Sequence, residues 1–228
     1  MILKADNSRK LTLTEKAYTA IKNSILSAEI KPGDILSEGK IAEQLSVSRT
    51  PVREAIKRLE SEGLVNSMPA IGTFVTKLTA KDIKDIYFLR KKLEIAALEL
   101  SINNISDEEI NVLKDSFIEV EERLDNIDKE LKIHLFNLDK NLHRLIIEKS
   151  DNNKLVELLD IINSQIELTR GISATTPGRL NKSFHEHRNI LMAIKERNFK
   201  KASKLLIEHL NNIKNNTLEI NENLDKYL

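Results

Sequence analysis

Apolar positions in the first third of the chain recur at helical spacing in three short runs. Over residues 13–28, Ala17, Ala20, Ile21 and Ile25 share one face, and Thr14 stands where a capping residue is wanted. The KPGD segment at 31–34 breaks that pattern. A short helix is expected over 38–45 and a longer one over 50–63, with Pro51 early, where no amide donor is needed, and Gly63 as the stop. The segment LVNSMPAIGTFVTKL then offers two β-prone pieces, 64–67 and 73–76, around a Pro and Gly turn. Beyond Thr79, Pro and Gly nearly vanish until Gly171 and the periodicity is helical almost throughout. It predicts helices over about 79–103, 106–127, 128–149, 152–170, 178–197 and 199–225. Breaks fall at 103–104, 151–153, the segment GISATTPG and Asn198.

Composition agrees with a mainly α protein. The 228 residues are 31% charged and 40% apolar, which argues against disorder; with six Gly, four Pro and 4% aromatics, a fold of many short strands is also disfavoured. No apolar run approaches the ~20 residues of a membrane span, and the opening MILKADNSRK lacks the apolar stretch of a secretion signal, so the expected location is cytoplasmic. Cysteine is absent, which leaves His, Asp and Glu as the residues able to hold a metal. The net charge of +1 is uneven: residues 1–77 carry twelve Lys or Arg against nine Asp or Glu, and residues 78–228 carry 24 against 26. A modestly basic first part is compatible with a nucleic-acid reader.

The segment IAEQLSVSRTPVREAIKRLESEGLV, residues 41–65, sharpens that reading. Ile41, Ala42 and Leu45 form the inner face of one short helix, Val47 plugs the turn, and Val52, Ile56 and Leu59 form the inner face of the next. This spacing predicts a helix-turn-helix in which Ser48, Arg49, Thr50 and Arg53 face outward at the leading end of the second helix, the end that enters a major groove. Arginine forks suit guanine edges and phosphates. For Lys57 and Arg58 the plainer alternative, a solvated face paired with Glu54 or Glu60, stays open.

In the second part, helical phase sorts five histidines. Leu135, Asp139, Leu142, His143 and Ile146 share an apolar stripe, so Asp139 and His143 point inward together, and a buried carboxylate demands a partner. His187 lies in phase with Leu180, Phe184, Leu191 and Ile194, and His209 with Ala202, Leu205, Leu206 and Ile213, whereas His134 and His185 fall on polar faces. Three neutral imidazoles and a carboxylate suit a divalent ion such as zinc, nickel or manganese, with positions left for water or an anionic molecule. The alternative is four separate core residues. Arg90 falls on the inward stripe Ile83, Ile86, Leu93, Ala97 and Leu100, its fork suited to a carboxylate ligand or to an intrahelical pair with Glu94. Glu186, next to His187, is expected to point away from the metal-facing stripe.

SEGKIAEQLSVSRTPVREAIKRLESEGLV followed by IGTFV resembles the winged helix-turn-helix of the GntR superfamily of bacterial transcription factors. The resemblance gives operator contacts to Arg49 and Arg53 with Thr50 nearby, and a minor-groove approach to the wing-tip Gly72. Gly39 stands where many members have Arg, with Lys40 as a substitute contact, and the usual turn Gly is Ser46. DKNLH, EHRNILMAI and IEHL resemble the FadR-type branch with an FCD ligand domain. That likeness implies a metal on Asp139, His143, His187 and His209, a small organic-acid effector completing its coordination, and help from Arg90. The expected fold is therefore mainly α, a winged helix-turn-helix over 8–77 followed by an all-helical antiparallel bundle over 78–228. The expected function is that of a homodimeric regulator of double-stranded operator DNA, not an enzyme. The alternatives are a metal-free regulator that binds an acyl thioester and a metal-dependent hydrolase.

Overall fold

The computed structural model describes residues 12–124 and 126–225, and divides the chain into two compact units between Lys77 and Leu78. Residues 8–11, 125 and 226–228, included in the expected domain spans, lie outside the described residues.

In the first unit, α1 (Leu13–Leu26) packs against α3 (Arg49–Ser61), burying Ala17, Ile21 and Ile25 on one side and Val52, Ala55, Ile56 and Leu59 on the other. The cap of α1 is Thr12 rather than Thr14: its hydroxyl accepts from the Glu15 amide while the Glu15 carboxylate accepts from the Thr12 amide. Thr14, two residues on, instead donates to Glu54 across the α1–α3 contact at 2.8 Å. Helix α2 (Glu38–Gln44) is capped by Ser37 and buries Ala42, with Ile41 and Leu45 only half-buried. The turn to α3 closes when the Val47 amide donates to the Ala42 carbonyl at 2.9 Å, with Ser46 at φ +54°.

Helix α3 ends on Gly63 at φ +72°, with the Leu64 amide reaching back to the Leu59 carbonyl and the Gly63 amide to that of Glu60. The wing follows: β2 (Val65–Met68) and β3 (Gly72–Val75) pair antiparallel, Met68 opposite Gly72. A two-residue strand that the pattern had not foretold, β1 (Ile35–Leu36), pairs with the other edge of β3, giving the order β1-β3-β2. Two residues are too few for alternation to register, and only Leu36 is buried.

The second unit is a bundle of α4 (Ala80–Ser101), α5 (Asp107–Glu121), α6 (Lys129–Glu148), α7 (Asn153–Ser173), α8 (Arg179–Lys195) and α9 (Phe199–Asp225). Side-chain caps start most of them: Thr79, Ser106, Asp128 and Asn152 each accept a backbone amide of the first turn. Helix α9 lies against α4, α7 and α8, and α6 against α4, α5 and α8. Two expected boundaries move. Helix α5 stops at Glu121 rather than 127, and α7 runs past Arg170 through Gly171 to Ser173, because the buried Gly171 is held by packing that outweighs its weak helix preference.

Ser46 occupies a left-handed backbone position that costs an L residue ~1–2 kcal/mol, against up to about 1 kcal/mol of extra unfolded-state freedom for glycine. Ser46→Gly is expected to stabilise the first unit by about 0.5 kcal/mol. A lowered urea midpoint for the variant would contradict the strain argument.

Candidate metal centre and nucleic-acid interface

Helix α6 carries Asp139 and His143 one turn apart, α8 carries His187 and α9 carries His209, and all four side chains are buried. One ligand atom from each lies within 4.8 Å of every other. The His187 and His209 Nε2 atoms are 3.0 Å apart, those of His143 and His209 3.4 Å, and Asp139 Oδ2 is 3.3 Å from His187 Nε2. Donors about 2.0–2.1 Å from a zinc ion stand roughly 3.0 Å apart at right angles and roughly 3.4 Å apart in a tetrahedron. The three quoted separations fall in that range, and the widest pair of the set is within 4.8 Å. His134 is half-buried, His185 is exposed, and neither joins it.

What aims the imidazoles is a ring of carboxylates behind them. His143 Nδ1 is 2.6 Å from Glu94 Oε2, and His209 Nδ1 is 2.7 Å from Glu186 Oε2. An ionised carboxylate only accepts, so both Nδ1 atoms carry the proton and both Nε2 atoms present lone pairs toward the shared centre. The carboxylates are themselves pinned. Arg90 Nε donates to Glu94 Oε1 at 2.5 Å, Arg179 grips Glu186 with both terminal nitrogens at 3.1 and 2.8 Å, and Asn212 donates to Glu186 at 2.9 Å. Arg170 Nε lies 2.8 Å from Asp139 Oδ1, an ion pair off the hydrogen-bonding line, and both atoms are buried without a hydrogen-bond partner.

The electrostatics follow from this arrangement. Burial would raise the Glu94 carboxyl, but Arg90 and His143 outweigh it and hold the group well below the usual carboxylate range. Burial likewise opposes ionisation of Asp139 and is overcome by Arg170, then by the three histidines. Burial pushes His187 down to about 3, only partly offset by Asp139. It lowers His143 and His209 as well, with the neighbouring imidazoles adding to the fall at His209. At neutral pH the Glu94 and Asp139 carboxylates are therefore ionised beside three neutral imidazoles.

Arg90 is fully buried but its fork is largely spent: beyond Glu94, Nη2 lies 3.3 and 3.4 Å from the His143 ring nitrogens, and only Nη1 lacks a partner. The intrahelical pair left open by the sequence is thus present. The α4 stripe is rotated from expectation: Tyr87, Glu94 and Leu98 take interior places, while Leu93 is half-buried and Leu100 is 46% exposed. A charged residue at position 94 hid the true face until its partners were visible. Glu186 keeps off the ligand stripe, as phase indicated, but reaches the far nitrogen of His209. Glu94 in this role, together with Arg170 and Arg179, carried no sequence signal of its own.

In the first unit Ser48 caps α3 without using its hydroxyl, and Arg49 and Thr50 are exposed beside it. Arg49 lies over Gly39, where an added Cβ would stand 3.4 Å from its Nη2. Arg53, also exposed, forks onto Glu38 at 2.9 and 3.1 Å. Lys40 is exposed, and Gly72 opens β3 at φ +142°. Arg58 stacks 3.8 Å from the Tyr18 ring centre and pairs with Glu62 rather than Glu54 or Glu60. Those two are engaged elsewhere, Glu54 with Thr14 and Glu60 with the Ser67 amide. Lys57 is exposed.

A winged helix-turn-helix joined in one chain to a helical domain with a buried polar centre defines a class of DNA-binding regulators. The profile of the bacterial regulatory proteins of the gntR family matches residues 13–75, and that of the FCD domain matches residues 85–212. The chain belongs to the GntR family of DNA-binding transcriptional regulators, with an FCD domain as its larger part. It is similar to the HTH-type transcriptional regulator YdhC of Bacillus subtilis, 33% identical over 85% of this chain and 86% of that one. McbR of Escherichia coli shares the fold at a TM-score of 0.72 and 23% identity, over 88% of this chain and 94% of its own. A metal-free FCD domain, that of the regulator TM0439, aligns at a TM-score of 0.55 and 26% identity over 63% of this chain and 96% of its own. These domains and relatives are regulators, not enzymes, which removes the hydrolase alternative. Among the described residues, no helix is long and apolar enough to cross a membrane.

Because the folded state holds His187 neutral far below its ordinary pKa of 6.5, the unfolded chain binds the proton first as pH falls. Stability is then present above about pH 6.5 and lost below it. In chelator-treated protein, His187 alone is expected to cost about 2 kcal/mol between pH 7 and pH 5. Denaturant melts at the two pH values check this, and His187→Gln should flatten the profile.

Proposed function

We propose that this regulator binds operator DNA as a homodimer and that a small organic acid, bound at a divalent metal ion in the FCD domain, controls that binding. The observation that carries the reading is the convergence of three imidazole Nε2 atoms and the Asp139 carboxylate at metal-ligand separations, with carboxylates fixing the proton of two imidazoles on the far side. Asp139, His143, His187 and His209 are the ligands; zinc, nickel or manganese suits their nitrogen and oxygen donors. A bound ion would attract a carboxylate into an open coordination position. Support for Arg90 as an effector contact is its Nη1, buried with no acceptor. An acyl thioester is a poorer fit, since this buried polar set would border an acyl chain.

On the reader, Arg49 and Arg53 supply base contacts, with Ser48, Thr50 and Lys40 nearby and Gly72 at the wing. Arg53 must exchange Glu38 for a base edge, a small cost for so exposed a pair. The dimer is supported by exposed apolar side chains on two helices that pack together, Phe88 and Leu89 on α4 with Leu158 and Ile161 on α7. Effector and DNA need only prefer different dimer geometries, and ~1–3 kcal/mol of coupling makes a useful switch.

Two measurements test this. Competition against a chromogenic chelator is expected to give one tight zinc site per chain, with His187→Ala losing affinity by about tenfold or more; zinc affinity unchanged in that variant would contradict the ligand set. With an operator selected from random DNA, Arg49→Ala and Arg53→Ala are each expected to cost about 1–3 kcal/mol and to relax sequence preference. Lys40→Ala should weaken all sequences alike and lower the salt slope by about one. Full operator affinity in the double arginine variant would contradict the reader.

A further inference from the structure

We propose that Glu38 is a specificity-determining residue of the DNA reader: it holds Arg53 until a neutral base edge with two acceptors replaces it, and so raises the preference for operator over random DNA. This rests on the reading of Arg53 as a base contact given above. Glu38 opens α2 and Arg53 stands one turn into α3, and the two meet side by side. Arg53 Nε lies 3.1 Å from Oε1 and 3.3 Å from Oε2, and Nη2 lies 2.9 Å from Oε2, so one edge of the guanidinium covers both carboxylate oxygens.

The backbone that carries this carboxylate is fixed. Just before it, Leu36 is buried and paired with Thr73 of β3, and Ser37 caps α2 through the Lys40 amide. Glu38 therefore stays close by when Arg53 swings away. The hydrogen bond from Arg53 lowers its carboxyl, against partial burial, and the charges of Arg53 and then Arg49 lower it further. Arg49 itself lies over the neighbouring Gly39. A link of this kind adds little to stability, because 61% of the Arg53 side chain and 31% of the Glu38 side chain are open to solvent. Its consequence lies in what it demands of an incoming acceptor.

Three kinds of acceptor on DNA can take Arg53 from Glu38. A phosphate offers two oxygens but is an anion, and bringing it to Arg53 sets it against the Glu38 charge. Thymine O4 or adenine N7 carries no net charge but offers one acceptor in place of two. Guanine presents O6 and N7 together without net charge, so it replaces both lost bonds and meets the carboxylate without like-charge repulsion. Glu38 thus penalises the backbone contacts that carry non-specific binding more than it penalises the guanine contact.

The test measures binding of the full chain to the selected operator and to a random duplex of equal length, over a series of salt concentrations. Glu38→Gln keeps the shape and removes the charge. It is expected to narrow the operator-to-random affinity ratio about three- to fivefold, mainly by tightening random binding. The salt slope on random DNA should steepen by about one, as Arg53 becomes free to neutralise a phosphate. With Arg53→Ala as background, the same substitution should leave ratio and slope unaltered. An unchanged ratio or slope in Glu38→Gln would overturn the proposal, and so would an equal effect in the Arg53→Ala background, where net charge alone would be at work. Arg53→Ala by itself separates the two layers. Full operator affinity in that variant counts against Arg53 as a base contact, whereas lost affinity with an unchanged ratio in Glu38→Gln counts against the role of Glu38 alone.

Discussion

The FCD domain is organised around a conflict between lone pairs. Glu94 and Glu186 hold the Nδ1 protons of His143 and His209, which forces the opposite nitrogens of two neutral rings to face each other at 3.4 Å inside a protein core. Nothing in that pair can donate to its partner. His187, whose Nδ1 meets no carboxylate among the described residues, is the ring able to place a proton toward Asp139 or His209, and a divalent cation would relieve all three contacts together. The arginines on the outer side, Arg90 and Arg179, hold the two carboxylates in place, so the aim of the imidazoles depends on the layer behind them as much as on the rings themselves.

That requirement reaches far along the sequence. Glu94 and His143 are 49 residues apart and His143 and His209 are 66, so α4, α6 and α9 must all be docked before any ligand is aimed, and α8 adds His187 and Glu186 from successive positions on one turn. Stripes of Ile, Leu and Ala on each helix do that docking: Ile83, Leu142, Ile190 and Leu206 are all buried beside polar groups that could not be buried alone. Chemistry and fold are thus coupled in one direction. Apolar packing supplies the positions, and ion pairing makes the polar interior tolerable.

Much of this was legible in the sequence because helical phase is a strict filter. Asp139, His143, His187 and His209 could be separated from His134 and His185 by the apolar company they keep, and the reader by the tight spacing of Ala42, Val47, Val52 and Ile56. What escaped detection depends on partners distant in the chain. Glu94 looks like a solvent residue until Arg90 and His143 are seen around it, and Arg170 sits where a glycine suggested the helix was ending. Strand β1 is set by its pairing with β3, not by its own two residues. Arg53 could be placed on the outer face of α3 but its latch to Glu38, fifteen residues earlier, could not.

Whether the convergent nitrogens hold a cation decides what the buried cluster is for. X-ray absorption at the zinc edge on the full-length protein, loaded with one equivalent, reads the donor set directly. Three imidazole nitrogens and at least one oxygen at about 2.0–2.1 Å are predicted, with the imidazole signal falling by one ring in His209→Ala. A spectrum without imidazole scattering, or one that His209→Ala leaves unaltered, would contradict the claim that these lone pairs are arranged for a metal ion.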